Sequence, residues 1–153
     1  MPLDRKLCVV VADGGHARFL HEAADHGLHT FEAMDSATVH KHTHELVSDR
    51  AGRAFESASP ARHAFTARLD PHEQEKIRFV RVVSQLIKEH SEAGVFKELV
   101  LVAPAQVLNE LTEALDSPTR AKLVGSLAKD LTKVPEHDLS PHLKQWVRPV
   151  HRA

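Results

Sequence analysis

A chain of 153 residues fits one domain, which we expect to span residues 1–153. Its one cysteine, Cys8, cannot close an internal disulfide, which excludes a secreted cystine-rich scaffold and indicates a reducing compartment. Charge is nearly balanced, with 20 Lys and Arg against 21 Asp and Glu, so net charge favours neither nucleic acid nor an anionic membrane. No apolar run approaches the roughly 20 residues of a membrane helix. We therefore expect a cytoplasmic protein without a membrane span.

The first part of the chain predicts antiparallel strands. Residues 7–12 are a continuous apolar run, typical of a central strand that is covered on both faces. Asp13, Gly14 and Gly15 then predict a tight hairpin turn with glycines at positive φ. Residues 16–23 alternate and lead through a second turn into 28–34, and a further short strand is predicted at 43–48.

A long loop and a helix follow these strands. Residues 49–69 show no sustained periodicity, and a loop of that length in a compact domain is usually functional or disordered. Asp70, Pro71 and Glu73 then supply an N-cap, a first-turn proline and a capping-box acid. The helix is predicted to end near Gly94, and its apolar stripe consists of Phe79, Val80, Val83, Leu86 and Ile87.

The last third of the chain alternates strand and helix. A second buried strand at 99–103 precedes a helix opened by Pro104, Ser117 caps a short helical turn, and 124–129 predicts a weaker strand. A final helical segment, split at Pro141, contains Leu139, Leu143 and Val147. The order βββ(β)αβαβα predicts an α/β fold with a mixed sheet flanked by helices, a three-layer arrangement like that of ribonuclease H.

Two metal sites are conceivable from residue types alone. Asp13 ends the first strand, where ribonuclease-H-like enzymes keep a carboxylate, but two-metal catalysis needs several acids and residues 102–105 contain none. His40, His42 and His44 would share one face of an extended segment and form a weak candidate metal site, although the run contains no carboxylate or thiolate and a solvated edge strand explains it better. Asp13 also has a structural explanation, since its side chain can cap the turn.

Other catalytic motifs are missing from the sequence. Cys8 lies inside the apolar first strand, where a thiol is normally inert. The chain has no Gly-x-Ser-x-Gly, Walker or dinucleotide-binding motif, and we expect no cofactor. Lys129 and Asp130 follow the last predicted strand, at the end where sites in α/β sheets gather, but an ordinary loop explains them as well.

The loop at 49–69 has the most informative composition. It holds four of the eleven arginines of the chain, and guanidinium groups suit bidentate recognition of phosphate and stacking on bases. On the helix that follows, Gln74, Arg78, Arg81, Gln85 and Lys88 form a solvent-facing stripe, which is also the ordinary composition of an exposed helix face. The candidate RNA-binding residues are Arg50, Arg53, Arg62, His63, Arg78 and Arg81.

Five segments, at 10–19, 48–53, 71–79, 99–104 and 129–132, together resemble the bacterial host-attachment protein family and keep its order over nearly the whole chain. Further candidate site residues in these segments are Asp13, Arg18, Ser48, Asp49, Lys129 and Asp130. The family is named for a proposed role in bacterial attachment to host cells. The resemblance also implies a fold similar to that of the middle domain of archaeal and eukaryotic peptide-chain release factors.

The resemblance implies more about fold than about activity. In those release factors, a Gly-Gly-Gln loop between the strands and the long helix reaches the peptidyl-transferase centre, and the corresponding segment 49–69 contains no glutamine. We therefore expect a non-catalytic or weakly catalytic module that associates with structured RNA or the ribosome. The alternatives are a factor for host attachment that acts through protein partners, and a metal-dependent hydrolase.

Overall fold

The structure is a computed structural model that describes residues 6–23, 27–38 and 70–147. The strands in these ranges are β1 (Leu7–Ala12), β2 (His16–Glu22), β3 (Leu28–Asp35), β4 (Glu98–Ala103) and β5 (Leu123–Ala128). The α-helices are α1 (Pro71–Glu92), α2 (Ala105–Ala114) and the single turn α3 (Ser117–Arg120). The predicted strand at 43–48 and the predicted loop at 49–69 lie outside the described residues.

The five strands form one mixed sheet in the order β3-β2-β1-β4-β5. β1 pairs antiparallel with β2 and parallel with β4, and β4 pairs parallel with β5. Two antiparallel hairpins therefore come first, and helices connect the parallel strands that follow, which confirms the predicted α/β fold with a mixed sheet. The carboxyl ends of β1, β4 and β5 consequently meet at one edge of the sheet.

The sheet has an apolar core on each face. All six residues of β1 are buried, because alternate side chains point to opposite faces and both faces are covered. On one face, Val10 and Leu101 pack against Phe79 and Val83 of α1 and Leu111 of α2. On the other face, the core contains Val9, Val11, Val100, Val102, Leu131, Leu139, Leu143 and Val147. The residues after β5 thus form the third layer.

Helix α1 begins and ends where the sequence predicts. The side chain of Asp70 accepts a hydrogen bond from the backbone N–H of His72 at 3.2 Å, and Pro71 occupies the first helical position. At the other end, Gly94 adopts a φ of +74°, a conformation that favours glycine. Between these two ends, the apolar stripe of Phe79, Val80, Val83 and Ile87 is buried against the sheet.

Three local predictions are wrong. Gly14 and Gly15 do not adopt positive φ, because Asp13 closes this turn by accepting backbone hydrogen bonds. Ser117 is not the N-cap of α3, since the side chain of Asp116 accepts from the Thr119 N–H at 3.0 Å. Pro104 is likewise the N-cap of α2 and not its first residue.

The C-terminal region also differs from the prediction. It forms two short 3-10 helices, Glu136–Asp138 and Ser140–Leu143, instead of an α-helix. Pro135 and Pro141 lack the backbone N–H that a continuous α-helix would use, which explains the short pieces. The strand β5 is only partly buried along its length, since it lies at the edge of the sheet.

Within the described ranges, none of the helices has both the length and the apolar composition to cross a membrane.

Gly125 on β5 tests the packing of the third layer. A Cβ at this position would lie 2.1 Å from Nε1 of Trp146, so the indole ring must move if the residue has a side chain. We expect Gly125→Ala to lower the free energy of unfolding by about 1–3 kcal/mol, as overpacking does. Urea denaturation measures this change.

Gly15→Ala is the matched control. A Cβ there would meet the Ser36 hydroxyl at an ordinary 3.5 Å, so we expect a change within about 0.5 kcal/mol. Equal effects of the two substitutions would contradict the packing of Trp146 on β5.

Candidate functional site

The polar residues that follow β1 and β5 meet at the carboxyl edge of the parallel strands. The hydroxyl Oγ1 of Thr132 lies 3.1 Å from Oδ2 of Asp13 and 2.6 Å from Oδ1 of Asp130. One hydroxyl proton serves both contacts, so Thr132 donates to one carboxylate at a time. The structure therefore brings together two predicted site residues, Asp13 and Asp130, through a third that sequence reasoning missed.

Asp13 uses its carboxylate to hold the β1–β2 turn. Its Oδ1 accepts the backbone N–H groups of Gly15 at 2.8 Å and His16 at 2.6 Å, and it lies 3.3 Å from Nδ1 of His16. The backbone N–H of Asp13 in turn donates to the carbonyl of His16 at 2.8 Å. With Thr132 on the other oxygen, both oxygens of this carboxylate already have partners within the protein.

These contacts lower the pKa of Asp13. Burial alone raises the pKa of the carboxyl, but the N–H donors of Gly15 and His16, the Thr132 hydroxyl and the imidazole of His16 outweigh burial. The net direction is downward, so Asp13 is an anion at neutral pH. A carboxylate held in this way suits a structural hydrogen-bond acceptor better than a general acid.

Lys129 and Asp130 occupy the loop after β5. The Asp130 carboxylate accepts the Thr132 backbone N–H at 3.1 Å as well as the hydroxyl, which closes a small turn. Both residues are exposed. The sequence signal that would have found Thr132 is its position two residues after Asp130, because a hydroxyl two residues after an aspartate is typical of such turns.

Arg18 holds the third layer, which is formed by residues 131–147, against the sheet. We call this layer the C-terminal layer. On β2, its Nη2 donates to the carbonyl oxygens of Leu131 at 2.8 Å and Val134 at 2.6 Å. Burial lowers the pKa of Arg18, while the carboxylate of Glu136 acts in the opposite direction. Glu136 also accepts the backbone N–H of Thr30 on β3 at 2.6 Å. The role of Arg18 is thus to hold residues 131–136 against the sheet.

A basic helix surface lies on the outer face of α1. We use this name for the exposed side chains of Arg78 and Arg81, which lie opposite the buried stripe of the helix, whereas Lys76 lies on the side of α1 that faces the sheet and the Asp13 turn. The aliphatic stem of Lys76 packs over Gly14, where an added Cβ would lie 3.0 Å from Cγ of the lysine. A shallow depression beside this contact is lined by Asp13, Gly15, His16, Ser36, His72, Glu75 and Lys76. The first turns of α1 and the turn after β1 therefore form one continuous surface.

Buried Cys8 is inert. Its burial raises the pKa of the thiol to about 12, so no thiolate forms near neutral pH. Among residues 6–23, 27–38 and 70–147, no three His, Cys, Asp or Glu side chains converge as a metal site would require.

Several predicted site residues lie outside the described residues. Those with a proposed role in RNA binding are Arg50, Arg53, Arg62 and His63, and the others are Ser48, Asp49, His40, His42 and His44. Their assignment stays a prediction from the sequence.

Comparison with known families agrees with the sequence motifs. The profile of the family described as "Protein required for attachment to host cells" matches residues 8–143. The chain belongs to this family. A search of the curated proteins finds no match for the host-attachment chain.

The comparison with solved structures also finds a similar protein. It is the crystal structure of an archaeal translation termination factor, aRF1, at 14% identity and a TM-score of 0.48. The similarity covers 91% of this chain and 35% of that chain, so the host-attachment chain spans about a third of the length of the termination factor.

Arg18 gives a test of the C-terminal layer. In Arg18→Lys, one ammonium replaces the planar guanidinium that reaches both the Leu131 and Val134 carbonyls. We expect the free energy of unfolding to fall by about 1–3 kcal/mol, measured by urea denaturation. Arg81→Lys on the exposed face of α1 should change it by less than about 0.5 kcal/mol. If both variants are as stable as the parent chain, Arg18 does not hold this layer.

Asp13 gives a test that depends on pH. Because its pKa is lower in the folded chain, its carboxylate stabilises fully above the unfolded value of about 3.9, and this contribution is lost as pH falls through the folded value. Asp13→Asn should therefore cost about 1 kcal/mol at pH 7, and the difference from the parent chain should shrink below about pH 4.

The measurement for Asp13 is urea denaturation at pH 7 and pH 3. Asp138→Asn, which alters an exposed carboxylate, serves as the control and should show little difference at either pH. A difference for Asp13→Asn that is equal at both pH values would rule out the charged form as the source of stability.

Proposed function

We propose that this host-attachment family member is a cytoplasmic, non-catalytic module that associates with structured RNA or the ribosome through the basic helix surface and the arginines that precede it. The proposal rests on one observation: Arg78 and Arg81 are exposed on α1, opposite its buried stripe, and the helix continues directly from the arginine-bearing segment.

The charge distribution supports an anionic partner at this place. Residues 49–81 contain seven basic and five acidic side chains, whereas the whole chain has a net charge of −1. Near-neutral composition thus conceals a local excess of positive charge. Arginine is suited to such a surface, because its planar guanidinium donates two parallel hydrogen bonds to phosphate and stacks on bases.

The Asp13 turn contributes position and not catalysis in this proposal. Its carboxylate is occupied by Gly15, His16 and Thr132, and a group with satisfied hydrogen bonds and a lowered pKa is a poor general base. The turn instead packs against the stem of Lys76 and so fixes the first turns of α1 relative to the sheet. A preformed helix surface spares the entropy of ordering these side chains on binding.

Binding of labelled transfer RNA and of ribosomes tests the proposal. Affinity should fall steeply with salt, because each phosphate contact releases counterions. The pair Arg78→Gln and Arg81→Gln should weaken binding and reduce the slope of log affinity against log salt by about 1–2. Arg50→Ala with Arg53→Ala should act in the same direction.

Lys133→Gln with Lys144→Gln is the control for charge. It removes two exposed positive charges from the C-terminal layer and should leave the salt slope unchanged. No binding at low salt, or equal losses in the two glutamine pairs, would refute a specific role for the basic helix surface.

A role in attachment to host cells through protein partners is a second candidate. The description of the family favours it. Deletion of the gene would then reduce adhesion, and reintroduction of the Arg78→Gln, Arg81→Gln variant would restore it if protein contacts elsewhere carry the effect. Unchanged adhesion after deletion would exclude this role.

A further inference from the structure

The two edges of the sheet differ in how their backbone is protected. In the part of the chain that the structure describes, the sheet ends at β3 on one side and at β5 on the other. An edge strand leaves backbone N–H and C=O groups without strand partners, and proteins usually protect such an edge with charges or a covering group. On β3, the carboxylate of Glu136 accepts the Thr30 N–H at 2.6 Å. The strand also carries the charges of Glu32 and Asp35, so β3 is a poor template for a further strand.

β5 has neither form of protection. Its sequence, Leu123–Ala128, contains no charged residue and no proline. Within the described ranges, β4 is the only strand that pairs with β5, and no side chain forms a hydrogen bond with the backbone of β5. Alternate residues of a strand direct both backbone groups to the same side, so about half of these groups face away from β4. They are available to one further strand.

An apolar side chain stands at the same edge. The register of β5 against β4 shifts between Leu123 and Gly125, so Val124 is an extra residue and forms a bulge. Val124 is 43% exposed, which makes it one of the four large apolar side chains that stand exposed in the described part of the chain. From Gly125 to Ala128 the pairing is regular. β5 thus offers a short regular edge with an exposed valine at its start.

The side chains of β5 are complementary to a second copy of the same strand. In an antiparallel pair, residues directly opposite each other project to the same face and their side chains are in contact. One register places Ser126 opposite the same serine of the second copy. Leu127 then lies opposite Gly125, which has no side chain. Val124 lies opposite Ala128, so each large side chain meets a small one or none.

The faces of the strand and the charges around it agree with this register. Gly125 and Leu127 share a face, because Trp146 packs over Gly125 and belongs with Leu127 to the core that holds residues 131–147. No charged side chain lies between Leu123 and Ala128, so the pairing brings no like charges opposite each other.

The lysine that precedes β5 is already engaged elsewhere. Its ammonium, on Lys122, donates to the Ser91 carbonyl at 2.9 Å and lies 5.4 Å from the centroid of the Phe96 ring. It is therefore held by the layer of α1 and not by the edge of β5.

We propose that β5 pairs antiparallel with β5 of a second copy of this chain, across a two-fold axis at Ser126. Two five-stranded sheets would then join into one. The contact uses the unprotected edge of both copies and leaves only the protected β3 edges, so the assembly closes as a dimer. It involves neither Arg78 nor Arg81, and it does not depend on the proposed binding of RNA.

Sedimentation of the full chain over a range of concentrations tests the dimer. We expect a reversible equilibrium between monomer and dimer with a dissociation constant in the micromolar range, because two short strands bury less surface than a standard interface. A chain that remains monomeric throughout the series would overturn the proposal.

A charge at the two-fold axis tests the place of the contact. Ser126→Lys puts two ammonium groups opposite each other and should weaken the dimer at least about tenfold. Gln85→Lys adds the same charge to the exposed face of α1 and should leave the dissociation constant unchanged. A Ser126→Lys chain that dimerises as strongly as the parent chain, or equal weakening by both substitutions, would overturn the proposal.

A cysteine at the axis tests the register without adding charge. Residues opposite each other in an antiparallel pair have Cα atoms about 4.5–5.5 Å apart, which a disulfide can span. Mild oxidation should therefore convert Ser126→Cys into a covalent dimer, whereas the parent chain should stay uncrosslinked because Cys8 is buried. Lys144→Cys, at an exposed position of the C-terminal layer, should crosslink at least about tenfold more slowly. Equal rates for the two cysteine variants, or no crosslink at position 126, would overturn the proposal.

Discussion

Burial of β1 on both faces is the constraint on which the rest of the structure depends. A strand with six consecutive apolar residues needs an apolar layer above and below it, because exposure of either face would lose roughly 25 cal/mol for each square ångström left in water. Helices α1 and α2 supply one layer, and residues 131–147 supply the other. The C-terminal region therefore belongs to the core, although its secondary structure is short and irregular.

This two-sided burial determines where polar groups can meet. Side chains on β1 are enclosed, so chemistry-bearing residues collect at the ends of the strands. At the carboxyl edge, Asp13 joins the first hairpin to the loop after β5 through Thr132, and at the opposite edge Glu22 and Phe31 line a shallow groove. Each edge thus combines a fixed strand end with a surface that faces outward.

The sequence predicted the parts of the fold that local chemistry determines. The apolar run of β1, the cap at Asp70 and the glycine at 94 each fix an element through neighbouring residues, and the structure confirms them. The 3-10 helices near Pro141 were harder to predict, because the buried side chains in and beside them, Leu139, Leu143 and Val147, are also spaced at a helical period. The prediction of positive φ at Gly14 and Gly15 was wrong, because the side chain of Asp13 closes this turn without it.

The candidate site was predictable only in part. Asp13 and Asp130 stood out because they follow strands, but their connection through Thr132 depends on contacts between residues 119 positions apart. Arg18 was noted within a motif, and its role became clear only from the carbonyls of Leu131 and Val134.

The central claim is that the basic helix surface contacts RNA while the C-terminal layer faces away. Lysine labelling of the chain, alone and bound to ribosomes at low salt, tests it most directly, because mass spectrometry reports each lysine separately. Lys88, which lies on the same face of α1 as Arg78 and Arg81, should lose reactivity in the complex, while Lys133 and Lys144 should keep theirs. Protection of Lys133 and Lys144 with Lys88 still reactive would contradict the proposed surface.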